Sequence, residues 1–435
     1  MRKLAFEVVE GTLERGGHSD DLFHHVIQTH PVMTAQEKRF LKRLSYGTIE
    51  RKIEMDARID AVSTLPARKM RPAVRTILRM ALYEIYYMEQ VPNAAACHEA
   101  VELTKKKKCA RYSSFVNAVL RNAIRDPLPL EKQPDWIRYS LPEELMEHLR
   151  AQYGKKTAGR IAASYLEQSG TVTLHIDSNK IRPEQYGEEL KKRQISFWRG
   201  NYIDQAIVVE HIQDISTLPG YRKGWFFVQD ESSMLPVLCA GIRPGMRVAD
   251  VCSAPGGKTM HALIQLKGEG WLTARDVSEK KVEKIRENIE RFGYSNVCCE
   301  CRDARVTDEK NKGKMDVVLV DVPCSGIGII GRKPEIKYHA MEDAAQLIER
   351  QRQICRAGAE LLKPGGVLIY STCTINCAEN EENVRWMEEH LGLHTQSLDA
   401  WIPQSLQNKM TAGGMLQMLP GLQKSDGFFV SRLTL

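Results

Sequence analysis

The 435-residue sequence predicts a multidomain protein: an all-α N-terminal part, a small α+β module and a C-terminal α/β domain on a doubly wound parallel sheet. Three observations predict it. Apolar residues recur at helical spacing up to about Asp126, the stretch from Trp136 to about Leu218 mixes helical and strand-like patterns, and after Trp225 short apolar runs alternate with amphipathic segments. The length also exceeds what one hydrophobic core usually serves.

In the first part, Val74, Ile77, Leu78, Ala81, Leu82 and Ile85 follow Pro72, which suits a first helical turn. Ala95 to Leu103 and Phe115 to Ile124 continue the pattern, separated by Lys105-Lys106-Lys107-Lys108 and by Arg111-Tyr112. The lysine run reads either as a solvated helix end or as a phosphate-contacting patch. Asp126-Pro127-Leu128-Pro129-Leu130 breaks helical patterning, because proline restricts itself and the residue before it.

The module that follows reads as helices Pro142 to Tyr153 and Lys156 to Gln168, then strands Thr171 to Ile176 and Ala206 to Val209. Pro219-Gly220-Tyr221 and Lys223-Gly224 close it. Next come strand Val248 to Val251, helix Lys258 to Leu266, strand Trp271 to Ala274, helix Glu279 to Phe292, and strands Val297 to Glu300 and Val317 to Val320. Helix Asp343 to Leu362, strand Val367 to Tyr370 and helix Glu379 to His390 complete the order, which predicts a parallel sheet with helices on both faces. The expected division is 1–130, 136–224 and 225–435.

Composition narrows the class. Hydrophobic residues at 43% and charged residues at 27% suit a soluble globular protein, and no apolar run reaches the length of a membrane span. Glu7 and Glu10 interrupt the start where an export signal needs an apolar stretch, so the cytoplasm is the expected location. There, eleven cysteines are expected as thiols. Cys298-Cys299-Glu300-Cys301 lacks paired C-x-x-C spacing and a histidine cluster, so it reads as strand residues and no metal is expected. The net charge of +7 has the sign a nucleic-acid partner requires.

Chemistry concentrates after the strands. Cys252-Ser253-Ala254-Pro255-Gly256-Gly257-Lys258-Thr259 ends like a nucleotide-phosphate loop, but Cys252 stands where the first glycine is needed and Pro255 removes an N–H donor. It reads better as a glycine turn that brings backbone close to a nucleoside cofactor. Asp276, ending the second strand, suits ribose hydroxyls, with helix capping as the plainer role. Asp303 suits an adenine edge, or a surface ion pair with a neighbouring arginine. Cys324, in Asp321-Val322-Pro323-Cys324-Ser325-Gly326, and Cys373, in Tyr370-Ser371-Thr372-Cys373-Thr374, each follow a strand and so suggest two thiols at one site.

With these motifs the sequence resembles the S-adenosylmethionine-dependent RNA cytosine-C5 methyltransferases of the Sun/Nop2 family. Residues 1 to about 126, including Val91-Pro92, Glu99-Ala100-Val101 and Phe115-Val116-Asn117-Ala118-Val119-Leu120-Arg121, resemble the NusB-like helical domain of bacterial RsmB-type members. Gln229-Asp230-Glu231-Ser232-Ser233 and Asp426-Gly427-Phe428-Phe429 are similar to the flanking motifs. Val322 and Ser253 stand where alanine is common, and neither change removes a functional group.

The resemblance implies a Rossmann-like methyltransferase domain and a 16S ribosomal RNA substrate, with no DNA or membrane partner and action as a monomer. It implies that Cys373 attacks cytosine C6, because C5 is a poor nucleophile until the ring is activated by covalent addition. Asp321 is then expected at the N3/N4 edge, Cys324 in release, and Lys258 as a charge that favours the attacking thiolate. Cys252, Ser253, Ala254, Pro255, Gly256, Gly257, Lys258, Asp276, Asp303 and Asp321 are the expected cofactor contacts. Arg332-Lys333-Pro334-Glu335-Ile336-Lys337 resembles the family's substrate loop and is expected to meet RNA near the target base, which must be single-stranded or flipped. The competing readings are a transfer-RNA enzyme, a DNA cytosine-C5 methyltransferase, which lacks a second cysteine matching Cys373, and a non-catalytic RNA-binding assembly factor.

Overall fold

The computed structural model describes residues 1–167, 170–210, 212 and 214–435. The chain forms two compact units: Met1–Glu167 with Ile330–Met341, and Gln168–Ile329 with Glu342–Leu435. Among the described residues no helix is long and apolar enough to cross a membrane.

The first unit is helical: α1 Arg2–Arg15, α2 Ser19–Thr29, α3 Ala35–Glu50, α4 Lys52–Val62, α5 Pro72–Tyr87, α6 Asn93–Lys106, α7 Ser113–Arg125, α8 Asp135–Arg138 and α9 Glu143–Ser164. Pro72 starts α5, whose Val74, Ile77, Leu78, Ala81 and Leu82 are buried as their spacing predicts. They pack with Phe6, Leu41, Leu44, Ile59 and Leu120 in one core. Inside α9, Gly154 has φ 76 and ψ 159, left-handed backbone that separates the two helical stretches expected there. Gln168, the expected end of the second, lies outside the described residues. Lys105 and Lys106 close α6, where cations complement the helix dipole.

The segment Ile330–Met341 belongs to this helical unit, and part of it departs from the expected RNA contact. Lys337 is 2% exposed and donates to the Glu50 carbonyl, while the Tyr338 hydroxyl donates to the Ile49 carbonyl at 2.5 Å. Glu335 accepts from the Ser19 hydroxyl at 2.8 Å. Burial pushes the Lys337 ammonium down to about 7. Arg332 and Lys333 remain at the surface, but Lys337 is a core residue of the helical unit.

The second unit holds two sheets. In the smaller, β1 Thr171–Ile176, β2 Phe197–Arg199, β3 Ala206–Glu210 and β4 Phe226–Val228 pair antiparallel in the order β2-β3-β1-β4, with α10 Pro183–Lys192 between β1 and β2 in sequence. The larger is built from β5 Arg247–Asp250, β6 Trp271–Asp276, β7 Val297–Cys301, β8 Met315–Asp321, β9 Leu362–Thr372, β10 His394–Thr395, β11 Met415–Met418 and β12 Phe428–Thr434. Its order is β10-β12-β9-β8-β5-β6-β7, with β11 also paired to β12. The five strands from β7 to β9 are parallel as expected, but β12 runs antiparallel to β9, which makes the sheet mixed.

Helices α11 Glu231–Ala240, α12 Gly257–Leu266 and α13 Glu279–Phe292 cover one face, and α14 Ala344–Ala359 and α15 Glu381–Leu391 the other. The alternation along β8 shows it: Val317 and Leu319 join the core with Met260 and Leu263 of α12, while Val318 and Val320 join the core with Ile354 and Met387. Because β5 pairs with β6 on one side and β8 on the other, the strand order reverses between β5 and β8. Ligands bind at such switch points, outside the carboxyl ends of the strands.

Candidate active site

The register of the central strands brings the two cysteine motifs together. Asp321 of β8 is the Cα partner of Ser371 of β9, so the chain leaves both strands at the same level. Cys324 and Cys373 follow at once, and their Sγ atoms lie 3.2 Å apart. The hydrogen bond to Cys373, then burial, push the Cys324 thiol well up, and either sulfur can donate in the contact between them.

Asp321 sits beside them. One carboxylate oxygen receives Lys258 Nζ at 2.6 Å and the other the Ser371 hydroxyl at 2.7 Å. The Lys258 ammonium also lies 5.1 Å from the centroid of the Phe428 ring. The structure therefore commits Lys258 to Asp321, and the sequence had not shown Ser371 as a partner although it stands within the second cysteine motif.

The glycine turn lies next to this group. Gly256, with φ 106, precedes α12, and no side chain caps that helix. Below it, the Thr259 hydroxyl donates to Asp250 at 2.7 Å, and Asp250 Oδ1 is a buried oxygen with no partner among the described residues. Burial pushes the Asp250 carboxyl up to about 7. Ser253 is tied to the Arg275 carbonyl through its backbone N–H at 2.7 Å and its hydroxyl at 2.9 Å. Cys252 packs against the second face's core, and burial pushes its thiol well up. Pro255 is exposed, and its carbonyl accepts from Asn288 at 3.1 Å.

Asp276 ends β6 as expected and accepts from the Ala254 and Ser278 N–H groups, each at 3.3 Å, which joins it to the glycine turn. Asp303 is paired instead with Arg305, whose guanidinium donates to it at 2.6 Å and holds its carboxyl below the ordinary range. The site also contains a residue the motifs did not mark. Glu379, 1% exposed, accepts hydrogen bonds from Ser325, Gln351 and Asn376.

The uncapped first turn of α12 offers N–H donors to a carboxylate, and Asp276 and Asp321 offer acceptors to hydroxyl and ammonium groups. S-adenosylmethionine carries all of these groups. The donor and acceptor set along the strand ends therefore fits it.

Two family models match the chain: "16S rRNA methyltransferase RsmB/F" over residues 240–434 and "NusB family" over residues 1–125. Probable ribosomal RNA small subunit methyltransferase B of Bacillus subtilis is 33% identical, covering 99% of this chain and 97% of its own. The Synechocystis protein of the same description is 30% identical over 99% and 98% of the two chains. Among solved structures, PH0851 superposes with a TM-score of 0.83 at 22% identity, covering 99% of this chain and 98% of its own. NSun6 from Pyrococcus horikoshii gives 0.59 at 22% identity over 67% and 98%. At these identities the structural likeness speaks for the fold.

Proposed function

The chain belongs to the ribosomal RNA small subunit methyltransferase B family, and on that premise we propose that it methylates C5 of a cytosine in 16S ribosomal RNA through a covalent adduct at Cys373. S-adenosyl-L-methionine is the cofactor, and when bound it supplies a methyl group carried on a sulfonium. One observation carries the proposal: Cys324 and Cys373 lie 3.2 Å apart, beside a carboxylate already held by a lysine and a serine.

A cytosine ring accepts a thiolate at C6 when negative charge on the ring is stabilised, and this makes C5 nucleophilic. Cys373 forms the S–C6 bond. Asp321, oriented by Lys258 and Ser371, faces the N3/N4 edge and accepts from the N4 amino group, and the Lys258 ammonium beside it offsets the negative charge that develops on the ring. With the methyl group on C5 and the donor's sulfur left as a neutral thioether, water takes the C5 proton, the C5–H electron pair restores the C5–C6 double bond, and the S–C6 pair leaves with the Cys373 sulfur. Cys324, whose thiol is pushed well up and whose sulfur lies 3.2 Å from that of Cys373, is suited to assist that departure. Asp276 takes the ribose hydroxyls, the turn from Cys252 to Lys258 the amino-acid end, and Asp303 the adenine edge once Arg305 yields it.

RNA is the partner, with the target base single-stranded or flipped because both faces of C5–C6 must be reached. The working division is a helical RNA-holding domain 1–130, a small module 136–224 and a methyl-transfer domain 225–435, acting as a cytoplasmic monomer. The test is incubation with methyl-labelled cofactor and undermodified 16S RNA, followed by nucleoside analysis. Label in 5-methylcytidine at one position is expected. Label on a ring nitrogen or ribose oxygen, or label only in a transfer-RNA pool, contradicts the proposal.

A further inference from the structure

We propose that Glu379 is the positioning residue that sets the separation of the two thiols, by clamping the loop after Cys324 to the loop after Cys373. The inference rests on the methyl-transfer proposal and adds a residue to it.

Four donors converge on this one carboxylate. Oε2 accepts from the Ser325 backbone N–H at 2.9 Å and from Gln351 Nε2 at 2.8 Å. Oε1 accepts from the Ser325 hydroxyl at 2.5 Å and from Asn376 Nδ2 at 3.0 Å. Ser325 is the next residue after Cys324, and Asn376 lies three residues after Cys373. The Ser325 hydroxyl also lies 2.7 Å from Thr374 Oγ1, a second tie between the same loops. An ionised carboxylate has about four lone-pair sites, and here all four are filled by donors. Such satisfaction is what permits a charged group at 1% exposure.

The clamp is itself anchored. Gln351, on α14, also donates to the Pro323 carbonyl at 3.0 Å, and Asn383 Nδ2 donates to Gln351 Oε1 at 2.8 Å. The covering helices thus hold Glu379, and Glu379 holds both cysteine loops. It touches neither sulfur by a hydrogen bond, so its effect passes through Ser325 and Asn376. Attack at C6 and release from C6 use sulfurs that must share one side of the same bond, so their separation matters to both steps.

The test uses the full chain and phenylarsine oxide, a probe of close thiol pairs. Two S–As bonds form, the As=O bond breaks, and both thiol protons leave with the oxygen as water. Peptide mapping identifies the bridged pair. Wild type should bridge Cys324 to Cys373. Glu379→Ala should lose the bridge and slow methyl transfer about a hundredfold, the scale of a misplaced reactive group, with cofactor affinity unchanged. Glu379→Gln keeps the size and, with the Ser325 hydroxyl and the Asn376 amide turned, most of the bonds. It should retain the bridge and transfer within about tenfold of wild type.

Should Glu379→Ala not fold, Ser325→Ala deletes one hydroxyl and should lower both readouts in smaller proportion. A folded Glu379→Ala, or failing that a Ser325→Ala, that bridges and transfers like wild type overturns the clamp. A wild type that bridges but methylates no RNA overturns the methyl-transfer proposal while leaving the clamp supported.

Discussion

At the β5–β7 end of the sheet the acidic groups are held over shorter spans: Asp250 by Thr259, nine residues on, Asp276 by Ala254, 22 residues before it, and Ser278, two residues on, and Asp303 by Arg305, two residues on. At the β8–β9 end the partners are far apart in sequence. Cys324 meets Cys373 across 49 residues, Asp321 meets Ser371 across 50 and Lys258 across 63, and Ser325 meets Glu379 across 54. The cofactor end is therefore closed by consecutive strands β5 and β6 over about twenty residues, while the transfer end exists only once β8 and β9, about fifty residues apart, have paired in register. Damage at one end should leave the other largely intact.

The largest expected effect is at the transfer end. Cys373→Ala should lower methyl transfer by at least about a thousandfold, because it removes the only bond that activates the ring. Equilibrium binding of S-adenosylmethionine should change less than about twofold, since Cys373 lies outside the proposed cofactor contacts. A comparable loss of cofactor affinity would mean that the two ends are one site energetically.

Asp276→Ala is the reciprocal change. Cofactor affinity should fall about tenfold to a hundredfold, the equivalent of one or two hydrogen bonds to a charged group. Phenylarsine bridging of Cys324 and Cys373 in the same variant should be unaffected.

Asp250 gives a smaller, pH-dependent effect. Its carboxyl is pushed up to about 7 by burial, above the ordinary 3.8, so the folded protein keeps a proton that the unfolded chain has released. The associated stability is fully present below the unfolded value and is lost as pH rises through the folded one. Relative to Asp250→Asn, wild-type unfolding free energy should fall with pH by on the order of 1 kcal/mol per pH unit between about pH 4 and pH 7. Parallel denaturant titrations of the two proteins measure it, and two curves of equal slope against pH would contradict it.

Asp303→Ala should matter least. Its carboxylate is already paired with Arg305, so cofactor affinity should weaken by no more than about tenfold.

The same contrast explains what the sequence disclosed. The glycine turn, Asp276 and the five parallel strands were legible because each depends on a short local pattern. The cysteine motifs were legible as strand-end segments, and the Asp321–Ser371 register supplied their meeting. The direction of β12 was not legible: Phe428–Thr434 is apolar enough for a strand, but its pairing with β9 is fixed by the connection before it.

Glu379 read as the first residue of a helix. In the structure that helix begins at Glu381, and Asn380 at φ −108 and ψ −95 breaks the path so that Glu379 turns inward. Lys337 read as part of a loop that meets RNA, but it is buried against a backbone carbonyl 287 residues away in the chain. Both misplacements concern charged residues whose burial is compensated by contacts distant in the chain.

The most direct test of the central claim compares Cys373→Ala with Cys324→Ala on undermodified 16S RNA in the presence of S-adenosylmethionine, resolved under denaturing conditions. Cys324→Ala should accumulate a protein–RNA complex that survives denaturation, because attack proceeds while release stalls, and Cys373→Ala should form none. If Cys373→Ala trapped RNA and Cys324→Ala turned over normally, the roles assigned to the two thiols would be reversed.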